Sequence, residues 1–95
     1  MKVSEITVEK FRTYAKADDE DPDILKDFLD GAISYVKDYA HLTDEEMDAS
    51  HAIAICVLAV GTDMYDNRQV QVGANNSHLN ELVDSTLFMH SRNLL

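Results

Sequence analysis

The sequence predicts an all-α fold, a small bundle of about four helices around one long, central apolar helix. Residues 52–60 contain no polar side chain, so a helix made of them has no face to give to water and must run through the middle of the fold. Residues 22–39 carry apolar side chains at spacings of three and four, which is the pattern of an amphipathic helix. Because 95 residues can bury one small core, residues 1–95 are expected to form a single domain.

The first helix is predicted to follow Thr7 and to end near Lys16. Thr7 is a suitable N-cap, and Ile6 and Phe11 have the spacing of a hydrophobic staple around it. The face of this helix that does not carry Phe11 is basic, with Lys2, Lys10, Arg12 and Lys16 as its cations.

An acidic break at residues 18–23 separates the first two helices. Asp21 is the predicted N-cap of the second helix, and Pro22 takes the first helical position, where a missing amide hydrogen costs nothing. A calcium loop would need Gly at its sixth position and Glu at its twelfth, but Asp23 and Leu29 stand there. The acids are therefore interpreted as a solvated helix cap.

The second helix is predicted over residues 22–39. Its apolar stripe is expected to pack on the central helix and consists of Ile24, Leu25, Phe28, Ala32, Ile33, Val36 and Tyr39. Gly31 lies inside this helix, where close approach of another backbone would be a reason to keep it, and Gly61 marks a kink or contact point in the next.

The third helix is predicted to begin at Asp44 and to continue to about Asp66. Thr43 and Glu46 form a capping box, and a staple of Leu42 and Met47 surrounds it. A helix of some 22 residues would be about 33 Å long and would be the longest element.

Residues 69–77 are predicted to form an extended arm or short strand, because Val70 and Val72 alternate with Gln69 and Gln71 before Gly73. Ser77 is expected to cap a last helix, and residues 91–95 are expected to form a frayed tail. The apolar stripe of the last helix consists of Leu79, Leu82, Val83, Thr86, Leu87 and His90.

The chain is strongly acidic, with 18 Asp and Glu against 8 Lys and Arg and a net charge of -10. Twelve of the acids lie between residues 18 and 50, which argues against a stand-alone nucleic-acid binder because phosphate contacts need clustered cations. No apolar stretch approaches the roughly 20 residues that cross a bilayer. The single Cys56 is interpreted as a buried hydrophobe, and the absence of a signal-peptide pattern predicts an intracellular, reducing compartment.

The sequence does not place histidine, serine, cysteine or glycine at the spacings that metal-binding, catalytic or phosphate-binding sites require. The four histidines, His41, His51, His78 and His90, are ten or more residues apart and do not form a local metal clamp. Ser50 and His51 are adjacent, which points their side chains in different directions on a helix. The three glycines stand alone and form no phosphate loop. The expectation is a protein without catalytic residues, cofactor or metal, and therefore not an enzyme.

One combination of elements resembles a known family. A short helix, the acidic break, an amphipathic helix and an apolar helix that finishes in MYDNRQVQVG are together similar to the head-tail connector, or adaptor, proteins of long-tailed bacteriophages. The resemblance covers about residues 4–90, and its distinctive part is the Tyr-x-Asn-Arg element at Tyr65, Asn67 and Arg68 with the arm that follows. The family more often has a proline at the entry to its third helix, where this chain has Leu42, Thr43 and Asp44.

The resemblance implies a structural virion protein. Such a protein forms a ring of about a dozen copies that docks beneath the portal and extends the DNA channel toward the tail, after assembly in the host cytoplasm. Its partners would be its own copies, the portal and a downstream stopper or tail-completion protein, with DNA only as passing cargo and no membrane. The implied subunit contacts are Tyr65, Asn67, Arg68, Gln69, Val70, Gln71 and Val72, and the implied portal or tail contacts are Arg92, Leu94 and Leu95.

The implied contacts and the implied function each have alternative interpretations. Arg68 can be a helix C-terminal cation that satisfies the last carbonyls, and Val70 and Val72 can pack on their own subunit. For the whole protein, the alternatives are an acidic DNA mimic that occupies a basic protein surface and a small regulatory, antitoxin-like module that pairs with one partner.

Overall fold

The computed structural model describes residues 1–68 and 79–85 of the chain. A 3₁₀ turn, Val3–Glu5, precedes four α-helices, which are α1 (Val8–Ala15), α2 (Pro22–Tyr39), α3 (Asp44–Met47) and α4 (His51–Asp66). Residues 79–85 are also helical and are called α5 here. These described ranges contain no strand, and the predicted all-α bundle is confirmed. The predicted arm at 69–77, the predicted cap of the last helix at Ser77 and the tail at 91–95 lie outside the described residues.

The central position of the apolar helix is confirmed. α4 packs against α2, α1 and the 3₁₀ turn, so its apolar side chains meet neighbours on most of its circumference. Ile55 is only half-buried, and Cys56 is buried. The buried residues of α4 are Ile53, Ala54, Cys56, Val57, Leu58, Val60 and Gly61. No helix in the described ranges is both long and apolar enough to cross a bilayer.

The predicted starts of α1 and α2 are confirmed in atomic detail. The Thr7 hydroxyl accepts a hydrogen bond from the amide of Lys10, and the Asp21 carboxylate accepts one from the amide of Asp23. Pro22 occupies the first turn of α2 as predicted. α1 ends at Ala15, and its C-cap Lys16 has left-handed backbone with φ of 57°, which terminates the helix.

The buried face of α2 differs from the predicted stripe at two positions. Its fully buried residues are Leu25, Leu29, Ala32 and Val36, which follow one line at spacings of four, three and four. Ile24 is 43% exposed, because it lies about 100° around the helix from Leu25 and away from α4. The prediction was therefore wrong to include Ile24 and to omit Leu29.

The predicted third helix is not continuous. Its capping box is present, since the Glu46 amide donates to Thr43 Oγ1 at 3.1 Å and the Thr43 amide donates to Glu46 Oε1 at 2.9 Å. The helix ends after one turn at Met47, and a second helix begins at His51. Within residues 1–68 and 79–85, the longest element is consequently α2 with 18 residues, not the central helix, which has 16.

Two polar side chains make this break. The Asp48 carboxylate accepts hydrogen bonds from the Ser4 amide at 2.9 Å and the Ser4 hydroxyl at 2.7 Å. Ser50 has extended backbone, with φ of -144° and ψ of 137°, and its hydroxyl accepts from the amide of Ala52. Short polar side chains of this kind compete with helical hydrogen bonds and favour caps. The 3₁₀ turn is thereby tied to the α3–α4 junction.

The two helical glycines have opposite surroundings. A Cβ atom at Gly61 would lie 2.8 Å from Cε1 of Phe11 and 3.4 Å from Cβ of Ala32, so Gly61 is the point of close approach between α4, α1 and α2. A Cβ atom at Gly31 would have no atom within 4 Å. The close approach suggested for Gly31 is therefore not found among the described residues.

α5 lies against the C-terminal half of α2. Leu79 and Val83 are buried, as the predicted stripe requires. The hydroxyl of Tyr39 hydrogen-bonds both carboxylate oxygens of Asp84, at 2.9 and 2.8 Å, and the stacked Tyr35 ring donates its hydroxyl to Asn80. The Asp84 bond, together with burial, raises the pKa of the Tyr39 phenol. Thr86, Leu87 and His90 of the predicted stripe are not among the described residues.

Candidate functional site

The C-terminal end of α4 carries the Tyr-x-Asn-Arg element, called the corner here (residues 65–68). A helix end leaves its last carbonyl groups without intrahelical partners. Asn67 satisfies one of them, since its backbone amide and its side-chain amide each donate to the Asp63 carbonyl at 3.0 Å. The Asn67 side chain also donates to the Asp63 carboxylate at 3.3 Å. Asn67 therefore ends α4 and fixes the direction in which the chain leaves it.

Arg68 folds back onto the helix that it follows. Its Nη1 donates to the Tyr65 carbonyl at 2.7 Å, and its guanidinium carbon lies 4.5 Å from the centroid of the Tyr65 ring. A cation over an aromatic face at this distance is attracted by the ring, and a cation also suits the negative end of the helix. The interpretation of Arg68 as a helix-terminal cation is therefore correct. Its exposed position leaves the predicted subunit contact as a prediction.

Tyr65 connects the corner to two other elements. Its ring packs edge-on against Phe28 of α2, with the centroids 5.7 Å apart, and its hydroxyl donates to Glu20 Oε2 at 3.0 Å. Partial burial and the bond to Glu20 raise the pKa of the Tyr65 phenol, because both favour the neutral form. The corner is thus anchored to α2 and to the acidic loop between α1 and α2.

Arg12 holds that acidic loop in shape. Its Nη1 lies within hydrogen-bonding distance of three loop carbonyls, at 3.2 Å from Ala17, 3.0 Å from Asp18 and 2.8 Å from Glu20. The Arg12 side chain is only 16% exposed and also pairs with Glu9 at 3.4 Å. It is consequently a structural residue and not part of a free basic face on α1, which corrects the sequence-based interpretation.

Arg12, Glu20 and Phe28 are the residues of this site that sequence reasoning missed. Tyr65 and Glu20 are 45 positions apart, and no local spacing rule joins them. The one available signal was an arginine followed closely by the densest group of acids in the chain.

The outward face of α2 is acidic. Asp23, Asp27, Asp30 and Asp38 are all exposed there, and only Asp30 has an ion-pair partner on this face, Lys26 at 2.9 Å. Ion pairs this exposed contribute little to stability. The face is therefore a solvated, negatively charged surface, as the composition predicted.

A shallow groove of about 200 Å³ lies between the 3₁₀ turn, α2 and α3. Asp44 at its rim pairs with Lys37 at 2.7 Å, and Asp48 is the carboxylate held by Ser4. The hydrogen bonds from Ser4 lower the pKa of Asp48, because they stabilise its charged form. The groove is lined by Val3, Ser4, Ile33, Asp44, Met47 and Asp48.

The described residues include few side chains that are placed for metal binding or catalysis. In the ranges 1–68 and 79–85, no set of three or more His, Cys, Asp or Glu is placed to hold a metal ion. Ser50 caps α4, Cys56 is buried, and His51 Nδ1 lies 3.2 Å from the amino nitrogen of Met1. What these ranges present to the outside is the corner, the acidic face of α2 and the groove beside α3.

The remaining candidate residues, Gln69, Val70, Gln71, Val72, Arg92, Leu94 and Leu95, lie outside the described ranges. No family model, curated protein or solved structure matches the chain.

Proposed function

We propose that the protein is a head-tail connector of a long-tailed bacteriophage, which forms a ring beneath the portal and extends the DNA channel toward the tail. The observation that carries the proposal is the closed corner at the end of α4. Asn67 is hydrogen-bonded to Asp63, and Tyr65 is anchored to Phe28 and Glu20, so the end of α4 that precedes the predicted arm is held by three elements. This is the element on which the resemblance to connector proteins depends.

A fixed starting point is what a ring requires from an arm. Copies related by one constant rotation close into a ring only if each contact repeats with the same geometry. An arm whose root is preorganised loses less conformational entropy when it docks on a neighbour. The contacts of Tyr65 and Asn67 therefore suit a segment that projects onto an adjacent subunit.

The surface charge suits a channel through which DNA passes. Asp23, Asp27, Asp30 and Asp38 are exposed along α2 and outnumber the two lysines of that helix, Lys26 and Lys37. Binding of duplex DNA gains its free energy from neutralised phosphates and released counterions. A surface without clustered cations does not hold the duplex, so DNA would move past it.

The experiment mixes the protein with the portal ring encoded beside it and measures ring formation by sedimentation and electron microscopy. Arg68→Ala and the double variant Val70→Asp plus Val72→Asp should lose ring formation while remaining folded by circular dichroism. Lys26→Ala is the matched control, because it removes an exposed cation from α2, away from the corner. Full assembly by the double variant would place the joint elsewhere. Failure of the wild type to bind the portal would remove the proposal, and a defined pair with one other protein would indicate a regulatory module.

The acidic face of α2 favours a second candidate, a DNA mimic. Its four aspartates lie on one side of a helix and span about 22 Å along the axis at 1.5 Å per residue. Such a row of carboxylates can occupy a basic, phosphate-binding surface. Titration against duplex-binding proteins tests this, because the mimic must displace DNA from its target and Asp27→Asn with Asp30→Asn must weaken that displacement.

A further inference from the structure

The groove beside α3 has the size of a side-chain pocket. Its volume of about 200 Å³ lies below the roughly 300–1,000 Å³ of sites for small-molecule ligands. Val3, Ile33 and Met47 give it an apolar floor. It can therefore receive one large apolar side chain from another protein surface.

The rim of the groove is negatively charged. The pKa of Asp48 is lowered by Ser4, so this carboxylate is ionised at neutral pH. The Asp44 side chain is 89% exposed although Oδ1 pairs with Lys37, and a carboxylate can accept further hydrogen bonds. The matching occupant is an apolar or aromatic side chain with a cation beside it.

The outward face of α1 carries this combination. Tyr14 is 42% exposed, and it is one of two large apolar side chains exposed in the described ranges. Lys10 is exposed one turn before it, and side chains four positions apart on a helix are neighbours. Tyrosine is also enriched among the residues that dominate protein interfaces.

We propose that Tyr14 of one copy enters the groove of a second copy, with Lys10 placed against the Asp44 and Asp48 carboxylates. The two surfaces differ, so the contact is heterologous and can repeat around a ring. This contact would be a second joint between neighbouring subunits of the connector ring, and its biological role rests on the proposed function. The self-association itself depends only on these two surfaces.

Sedimentation equilibrium at high protein concentration tests the contact in the full-length protein. Tyr14→Ala should weaken self-association at least about tenfold, because truncation of a tyrosine that anchors an interface removes a large part of its affinity. Thr13→Ala is the matched control, because Thr13 is also exposed on α1 but points about 100° away, and it should associate as the wild type does. Equal association of the two variants, or a wild type that stays monomeric, would overturn the proposal.

A charge exchange gives a second readout that leaves Tyr14 unchanged. Lys10→Glu should reduce self-association at high protein concentration, and mixing it with Asp44→Lys should restore association between the two variants. If association is unchanged by Lys10→Glu, the proposed contact is wrong.

The portal experiment separates this proposal from the proposed function. Rings that form on the portal as fully with Tyr14→Ala as with the wild type would refute the joint and leave the connector function standing. Self-association in free solution that Tyr14→Ala abolishes, in a protein that binds no portal, would support the joint and remove the connector function.

Discussion

Two glycine-to-alanine variants are expected to change stability in opposite directions, although both lie inside helices. Gly31 is exposed in α2, and a Cβ atom there would meet no atom within 4 Å. Gly61 is buried in α4, where the added Cβ would lie 2.8 Å from Cε1 and 3.1 Å from Cζ of Phe11. Comparison of the two variants therefore separates the effect of helix propensity on stability from the effect of core packing.

The magnitudes follow from two opposing effects. Alanine is favoured over glycine inside a helix by about 1 kcal/mol, so Gly31→Ala should raise the free energy of unfolding by about that amount. Gly61→Ala gains the same amount but forces a methyl group against Phe11, which is fully buried and cannot move into solvent. Overpacking of this kind costs about 1–3 kcal/mol, so the net loss should be about 1 kcal/mol. The two variants should differ by about 2 kcal/mol.

Urea denaturation followed by circular dichroism at 222 nm measures the difference. The midpoints should move in opposite directions with an unchanged m-value, which shows that stability and not compactness has changed. Thermal midpoints should shift by about 4–8 °C for each kcal/mol in a domain of this size. A Gly61→Ala protein as stable as Gly31→Ala would refute the packing of Phe11 on α4. Destabilisation by Gly31→Ala would show that α2 has a contact at that position.

Five other substitutions test separate parts of the structure. Leu58→Asp should abolish the helical signal in circular dichroism, because Leu58 is 1% exposed. Ile55→Asp should keep part of that signal, because Ile55 is only half-buried. Equal loss of signal in the two variants would mean that α4 is wrongly oriented. Arg12→Gln should lower the free energy of unfolding in urea by about 2 kcal/mol through the lost carbonyl contacts, and an unchanged midpoint would contradict the loop clamp. The pKa of Asp48 is lowered from 3.8, so its stabilisation is complete above pH 3.8 and is lost as the pH falls through the lowered value. Asp48→Asn should therefore be less stable than wild type at pH 7, and this deficit should shrink in acid; a constant deficit would argue against the Asp48 hydrogen bonds. The pKa of Tyr39 is raised from 10.0, so its bond to α5 is intact below pH 10, and Tyr39→Phe should speed hydrogen exchange in residues 79–85 at pH 7.

The parts of the fold that the sequence predicted are those decided by neighbours within about four residues. Thr7, Asp21 and Thr43 cap their helices as expected, because a cap needs only a short polar side chain and the next turn of backbone. The position of α4 followed from its uniformly apolar composition, which leaves burial as the stable arrangement.

The break between α3 and α4 could not be predicted in the same way. Asp48 is held by Ser4, which is 44 positions away in the chain. Local rules gave Asp44–Met47 a sound start, and the local signals for a stop were only the cap-forming residue types at Asp48 and Ser50, beside Ala49, which is a good helix former. The contact that ends the helix exists only after the 3₁₀ turn has packed against α4.

The contacts of the candidate site also divide into local ones, which the sequence indicates, and distant ones, which it does not. Tyr65, Asn67 and Arg68 were identified from one short element of sequence, and the contacts of Asn67 with Asp63 and of Arg68 with Tyr65 are local. The anchoring of Tyr65 by Glu20 is not local, because it depends on how the acidic loop packs beside α4. The sequence therefore identified the element, and the fold determined what holds it.

The separation between core and surface makes the functional tests interpretable. In the described ranges, every fully buried side chain is apolar, and no polar or charged residue is fully buried. Lys10, Tyr14, Asp44 and Arg68 are all exposed, so substitutions there should leave the core packing intact. Tyr65 differs, because its ring and hydroxyl contribute to the fold as well as to the corner. A loss of assembly in exposed-residue variants with wild-type urea midpoints can thus be assigned to a lost contact, whereas the same loss at Tyr65 requires a stability correction first.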